Sequence, residues 1–321
     1  MASLPRRVTL REVADDAGLS IATVSRALTG SRSVTPQIAL KAQEAATRLG
    51  YRANSIGRSL RTQRTDTLGL VIPDIANPFF PSLVQAVERA ARERGLSVLI
   101  ADAGNDASVE RAALSSLIDH RVDAVLVSPS HSDASRTAVH ESSGVIPLVQ
   151  IDRVIDDSLP YVRVDQARPV RELVAHLRAR GKQQFAFVGQ PSTITTSFER
   201  ESAFRALMTD QPLRVVPATT SAGSGREAAR ALMQRWPETD AIICANDLLG
   251  VGALQELRLL ARDDVAVSGF DDTLIAEAMG LTSVRQPVDE LARAALSAAL
   301  DANAPQAVEL YSTIVYRDST D

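Results

Sequence analysis

Four short polar clusters stand where apolar runs end: Asp152-Arg153 after PLVQI, Asn246-Asp247 after AIICA, Asp271-Asp272 after VAVSGF, and Arg200 after FVGQPSTITTSFE. Carboxylates and amides accept or share hydrogen bonds with hydroxyl groups, and arginine holds a ring oxygen, a carboxylate or a phosphate through two N–H groups at once. Brought together, these residues suit a polyol. A second set lies in LSIATVSRALTG, residues 19–30. There Val24, Ala27 and Leu28 form a narrow apolar stripe, leaving Ile21, Ala22, Ser25 and Arg26 on a face that a core cannot use. Arg26 has the geometry for a bidentate pair with guanine O6 and N7, and Ile21 and Ala22 suit thymine methyl groups or a close apolar approach. Thr23 and Ser25 suit phosphate oxygens, which fix register without reading sequence. Catalytic patterns are missing: the histidines at 120, 131, 140 and 176 have no metal-ligand spacing, no GxxxxGK[ST] loop occurs, and Cys244 sits inside an apolar run. Gly223-Ser224-Gly225-Arg226-Glu227-Ala228 spells GxGxxA, but no firm strand leads into it. We therefore expect no enzyme, no cofactor and no metal.

The elements that must position the second set are three short helices. Thr9-Leu10-Arg11-Glu12 is a capping box, followed by Leu10, Val13, Ala14 and Ala17 at helical spacing and a stop at Gly18. Ser20 caps the next helix after only Gly18-Leu19, which makes a helix-turn-helix. Such a unit lays its second helix in the DNA major groove. Thr35-Pro36 caps a third helix with Ile38, Ala42, Ala45, Ala46 and Leu49 on one face, closed by Gly50. Charge is segregated to match: residues 1–64 hold 11 Lys+Arg against 4 Asp+Glu, a net of +7, whereas the rest hold 24 against 35, a net of −11. A basic head on an acidic body confines polyanion contact to one end. Beyond about Asp66, strand and helix patterns alternate from LGLVIP through FFPSLVQAVERAARER to IPLVQI, and the rhythm repeats from about residue 165 to VAVSGF. Two doubly wound parallel-sheet lobes follow, with a ligand cleft between them. The opening MASLPRRVTLREVAD lacks the apolar core of a signal peptide, no apolar run reaches the roughly 18 residues of a membrane span, and one cysteine forms no internal disulfide, so a cytoplasmic protein without membrane contact is expected.

The runs VTLREVADDAGLSIATVSRALTG, VTPQIALKAQEAATRLGYRANSIGRSLR, LGLVIPDIANPFFPSLVQAVERAARERG, VDAVLVSP, ANDLLGVGAL, VSGFDD and SVRQP, in this order, resemble the LacI/GalR family of bacterial transcription regulators over nearly the whole chain. The resemblance implies a helix-turn-helix head at residues 1–50, a hinge helix or linker at 51–65, and a periplasmic-binding-protein-like effector and dimerisation domain at 66–321. Within the last, lobe 1 takes about 66–163 plus 288–310, and lobe 2 about 164–284 plus the C-terminal segment, with crossings near 162–165, 283–288 and 307–316. It implies a homodimer on near-palindromic operator DNA, with DNA contacts from Thr9, Ser20, Ile21, Ala22, Thr23, Ser25 and Arg26 and from the hinge residues Asn54, Arg58, Leu60 and Arg61. Leu60 matches the leucine that wedges between central base pairs, an unstacking offset by the contacts of the bent duplex. Asp152, Arg200, Asn246 and Asp271 match effector-contacting positions, with Phe79 and Phe80 at the cleft wall. The effector is read as a sugar, phosphosugar, sugar acid or nucleoside, and the outcome as repression. The face of the 79–94 helix around Leu83 and Val87 is expected to join the dimer.

Four departures from the family pattern bear on this reading. Arg200-Glu201-Ser202-Ala203-Phe204 stands for R-x-x-G-F, and no aromatic residue precedes Ser224-Gly225 near Thr220, which argues against a stacked-sugar pocket. Gly57 and Ala53 replace the usual hinge alanine and proline. The alternative reading is a sugar-binding module or carbohydrate enzyme with an accessory head. Glycine inside a helix costs about 1 kcal/mol relative to alanine, so Gly57→Ala should tighten operator affinity severalfold in a binding titration; unchanged or weaker affinity would refute the hinge-helix expectation.

Overall fold

The computed structural model describes residues 8–28, 34–51 and 64–321, and the chain divides into two units, Met1–Thr65 and Asp66–Asp321. The first unit carries α1 (Leu10–Ala17), α2 (Ile21–Leu28) and α3 (Pro36–Leu49). Its core is Val13, Ala14 and Ala17 of α1, Val24 and Ala27 of α2, and Ala42, Ala45 and Ala46 of α3. Six of these eight side chains are single methyl groups from alanine lying between helices, so the helices pack closely around little volume, and the two valines fill the centre. The capping box forms as expected: Glu12 N donates to Thr9 Oγ1 at 3.3 Å and Thr9 N donates to Glu12 Oε2 at 2.7 Å. Gly18 ends α1 at φ +60°, a left-handed conformation that places Ser20 to accept from Thr23 N at 3.1 Å and so cap α2. Thr35 holds the position before α3, but its side chain makes no cap bond; Pro36 presets the entry with its fixed φ instead. The hinge residues Asn54, Arg58, Leu60 and Arg61, with Ala53 and Gly57, lie outside the described residues.

The second unit contains two six-stranded sheets. Sheet A has the order β11 (Ala307–Leu310), β5 (Tyr161–Val164), β4 (Leu148–Ile151), β3 (Ala124–Val127), β1 (Thr67–Ile72), β2 (Ser97–Asp102). Sheet B has the order β12 (Thr313–Val315), β10 (Thr282–Arg285), β9 (Ala266–Asp271), β8 (Ala241–Cys244), β6 (Phe185–Gly189), β7 (Val215–Pro217). All pairings are parallel except β10 with β12. The inner strands are buried on both faces, as the unbroken apolar runs AVLV, LVQI, FAFVG and AIIC require. Between strands run α4 (Phe79–Glu93), α5 (Ala107–Asp119), α6 (Arg136–Ser143), α7 (Ala167–Ala179), α8 (Thr195–Leu207), α9 (Ala222–Arg235), α10 (Asp247–Leu259), α11 (Leu274–Met279) and α12 (Val288–Leu300). The chain crosses between sheets after β5, before α12 and between β11 and β12. Leu291, Ala292, Ala295 and Leu296 of α12 pack in the same core as α4 and sheet A, so the last helix returns to the first lobe.

Two local expectations change. Arg200 does not open its helix: α8 begins at Thr195, which puts Arg200 in its second turn. Leu83 and Val87 are fully buried inside the protomer, in contact with sheet A and α12, so they cannot form a dimer face. Their i, i+4 spacing marks the stripe that α4 needs for its own lobe.

The GxGxxA run also has a packing explanation. A Cβ at Gly225 would collide with the Leu249 backbone, and one at Gly252 would land on the Ala222 carbonyl. Bare backbone at these two positions lets α9 and α10 touch. Gly252→Ala should therefore destabilise the protein by about 2–4 kcal/mol, because both colliding groups are main chain. Gly223→Ala, whose Cβ would meet only Ser221 Oγ at 3.9 Å, should be neutral or slightly stabilising. Urea unfolding of the two variants checks this, and equal midpoints would remove the close-approach explanation.

Candidate functional site

In the second unit, the strand ends converge on one small cavity. Asp152 follows β4 and Asp271 ends β9, at φ +68° and +103° respectively. Such left-handed backbone in non-glycine residues is costly and accumulates at binding sites, where the fold imposes it. Here it turns two carboxylates off their strand ends into the interlobe space. Asn246, following β8, caps α10 by accepting from Leu249 N at 3.0 Å. Arg200 reaches the same place from α8, and Phe79 and Phe80 from the first turn of α4. All six residues expected at the effector site therefore line one cavity, together with Arg153, Gln190, Thr196 and Gln286. Gln286 was not singled out from the sequence, although it lies within SVRQP at an expected crossing. Thr196 gave no signal, since a threonine in a helix's first turn reads equally well as a surface residue.

Both cations are held by dipoles and rings. Arg200 Nε donates to Gln166 Oε1 at 2.7 Å, Nη1 donates to the Ala245 carbonyl, and the guanidinium lies 3.9 Å from the centre of the Phe270 ring. Arg153 Nη1 donates to the Pro129 carbonyl at 3.3 Å, with its guanidinium 5.4 Å from the Phe80 centre. Asp271 accepts from Gln286 Nε2 at 2.7 Å. Behind it, Asp247 is saturated by Thr273 N, Thr273 Oγ1 and Ser283 Oγ at 2.7, 2.9 and 2.5 Å. Burial pushes the Asp152 carboxyl up to about 6 against the pull of Arg153 and Arg200. It pushes Asp247 to about 7, aided by Asp271, and raises Asp271 as well.

Four buried polar atoms face this space without a partner: the acceptors Asp152 Oδ1 and Gln286 Oε1, and the donors Arg153 Nε and Asn246 Nδ2. An unpaired buried polar atom costs about 1–3 kcal/mol. The cavity volume is about 10 Å³, room for one water, so a larger guest requires the lobes or side chains to move apart. The aromatic rings offer no open stacking face: Phe79 and Phe80 are buried edge to face, and Arg153 covers Phe80.

In the head, Ile21 is 43% exposed, Ala22 and Arg26 are also exposed, and Thr23 and Ser25 are half-buried, so the outward face expected of α2 is present. Arg26 Nε donates to the Ala22 carbonyl at 3.2 Å. The hydroxyls of Thr9 and Ser20 are engaged in caps, the latter also sharing a hydrogen bond of 2.8 Å with Thr23 Oγ1. Among the described residues no group of three or more potential ligands could hold a metal ion, and no helix is long and apolar enough to cross a membrane.

Residues 9–54 match the profile of bacterial regulatory proteins of the lacI family, and residues 65–307 match that of the periplasmic binding proteins and sugar binding domain of the LacI family. The chain belongs to the LacI family. Its LacI-family relatives include the transcriptional regulator CelR of Thermobifida fusca, 33% identical over 306 residues, which are 90% of this chain and 89% of CelR. The ribose operon repressor of Halalkalibacterium halodurans is 30% identical over 290 residues, 88% of this chain and 86% of that one. A lac repressor dimer bound to operator and the anti-inducer ONPF has the same fold, with a TM-score of 0.90 at 22% identity over 98% of this chain and 99% of that one. A CelR–cellobiose complex gives a TM-score of 0.71 at 29% identity over 98% and 100%. The protein is thus a LacI-family DNA-binding transcription regulator, as are the relatives named above.

The cleft carboxyls give a pH test. The unfolded chain releases the Asp152 proton near pH 4, whereas the native state keeps it to about pH 6, so native stability falls as pH rises through that window. Between pH 4.5 and 6.5 the wild type should lose on the order of 2 kcal/mol more than Asp152→Asn. Parallel urea-unfolding profiles for the two proteins would show that Asp152 ionises in the ordinary range.

Proposed function

We propose that this regulator is a homodimeric cytoplasmic repressor whose affinity for a near-palindromic operator is set by a small polyhydroxylated effector held between the lobes. The observation that carries the reading is the set of unpaired atoms in the cleft, two acceptors and two donors, all buried. Hydroxyl groups both donate and accept, so a polyol satisfies the two kinds at once. The charge balance favours a neutral sugar over a phosphosugar: Arg153 and Arg200 already face the carboxylates of Asp152 and Asp271, with Asp247 behind. CelR in complex with cellobiose and the ribose operon repressor, as their names describe them, support this class. Asp152, Arg200, Asn246 and Asp271 are assigned to the effector, with Phe79 and Phe80 as the wall.

On the head, Ile21, Ala22 and Arg26 are assigned to base edges and Thr9, Ser20, Thr23 and Ser25 to the phosphate backbone, with Asn54, Arg58, Leu60 and Arg61 in the hinge. The dimer surface is assigned to the apolar residues that the lobes leave outside, Leu99 and Ile100 on the edge strand β2 and Leu274, 83% exposed, on α11. An uncovered apolar strand edge is otherwise a site of aggregation. No constellation for catalysis accompanies the cleft, which favours binding over turnover.

The full-length protein, tested by fluorescence anisotropy on DNA selected from a random pool, should bind with a steep salt dependence. Arg26→Ala should lose about tenfold or more on the selected sequence with little change on random DNA. In a thermal-shift screen with neutral sugars, a guest at about a hundred times its dissociation constant stabilises by about 2.7 kcal/mol, and Arg200→Ala should abolish that shift. A shift retained in Arg200→Ala would move the effector out of the cleft.

A further inference from the structure

A second hollow lies on the other side of α8. It has a volume of about 420 Å³ and is bounded by Arg163 of β5, Glu309 of β11, Arg171 of α7, and Phe198, Glu199 and Leu207 of α8. Glu199 and Arg200 are consecutive, so one helix lines this groove with the first and the interlobe cleft with the second. The groove joins strands of sheet A to a helix of the other lobe beside the crossing at Asp165-Gln166.

Its charges are unequally used. Arg163 Nε donates to Glu309 Oε1 at 2.9 Å, which neutralises both. Asp165 accepts from Ala167 N and Arg168 N at 2.8 and 3.1 Å and so caps α7. Glu199 is half-buried and makes no hydrogen bond or ion pair among the described residues, although Arg163 and Arg200 lie near enough to influence it. Burial raises its carboxyl above the ordinary range. Three carboxylates against two guanidiniums leave the lining with a net negative charge. Beside the unpaired carboxylate stands Phe198, 54% exposed, while the other six phenylalanines of the chain are at most 3% exposed. An exposed ring next to an unpaired carboxylate is the arrangement that receives an organic cation, through the ring face and an ion pair together.

We propose that this groove is a second ligand site, distinct from the cleft, that takes a small organic ammonium ion with an apolar body. The ammonium meets Glu199 and the apolar part covers Phe198, and an occupant bridges the two lobes beside the residue that lines the cleft. The inference is independent of what the cleft binds.

The test is calorimetric titration of the full-length protein with phenethylammonium, and with 2-phenylethanol as its neutral counterpart of similar size. The expected result is saturable binding of the ammonium, at least about tenfold weaker binding of the alcohol, and a loss of about tenfold in Glu199→Gln, which is about 1.4 kcal/mol. Phe198→Ala should weaken both probes, and Asp271→Asn, in the cleft, should leave the ammonium affinity unchanged. Undiminished binding in folded Glu199→Gln and Phe198→Ala, loss of binding in Asp271→Asn alone, equal affinity for the alcohol, or no saturable binding at millimolar concentration would each overturn the proposal.

Discussion

The burial of the Arg200 guanidinium is the constraint on which the regulatory half of the molecule turns. A guanidinium removed from water must recover its hydration from the protein, because an isolated buried charge costs far more than any single contact supplies. Arg200 recovers it from four directions: Gln166 at the crossing between lobes, the Ala245 carbonyl at the end of β8, the face of Phe270, and the field of Asp152 and Asp271. These groups come from both lobes and from the strand that links them. Separating the lobes therefore changes the surroundings of a buried cation, which makes the relative position of the lobes sensitive to any guest that offers it new oxygens.

The acids respond to the same constraint. Asp152 and Asp271 sit on backbone that the strand ends force to positive φ, and burial raises both carboxyls despite the nearby arginines. The cleft thus stores electrostatic and backbone strain in one place, while Asp247 behind it is fixed by three hydrogen bonds and acts as a rigid backing. The cavity of about 10 Å³ with four unpaired polar atoms is poorly satisfied as it stands. The hydroxyl-rich guest that we propose for the cleft would supply both donors and acceptors to these atoms.

The head obeys a different economy of interactions. Its core is built almost wholly from alanine and valine, so its helices approach closely and depend on caps at Thr9 and Ser20 and on the left-handed Gly18 for their geometry. That leaves the outer face of α2 free of packing duties, with Ile21 exposed where a helix that served only the core would carry a polar residue. The concentration of positive charge in residues 1–64 and of negative charge beyond them directs a polyanion to the same unit.

The sequence by itself determined the local devices: the capping box at Thr9-Glu12, the stop at Gly18, the outward face of α2, and the alternation of apolar runs that become two parallel sheets. These depend on neighbours a few residues apart, whose spacing matches the helical or strand repeat. It also located the polar strand ends that meet in the cleft, because ligands in open α/β sheets lie beyond the carboxyl ends of strands. Only the tertiary structure decided which apolar stripe faces inward. Leu83 and Val87 have the same spacing whether they bury against sheet A and α12 or against another subunit, and α12 begins at Val288, far along the chain. In the same way Gly225 is only part of a GxGxxA run, and Gly252 a glycine inside a helix, until α9 is laid on α10, and Phe198 and Glu199 are an ordinary surface pair until β5 and β11 close a groove around them. Each depends on contacts between residues far apart in sequence, and no local repeat encodes them.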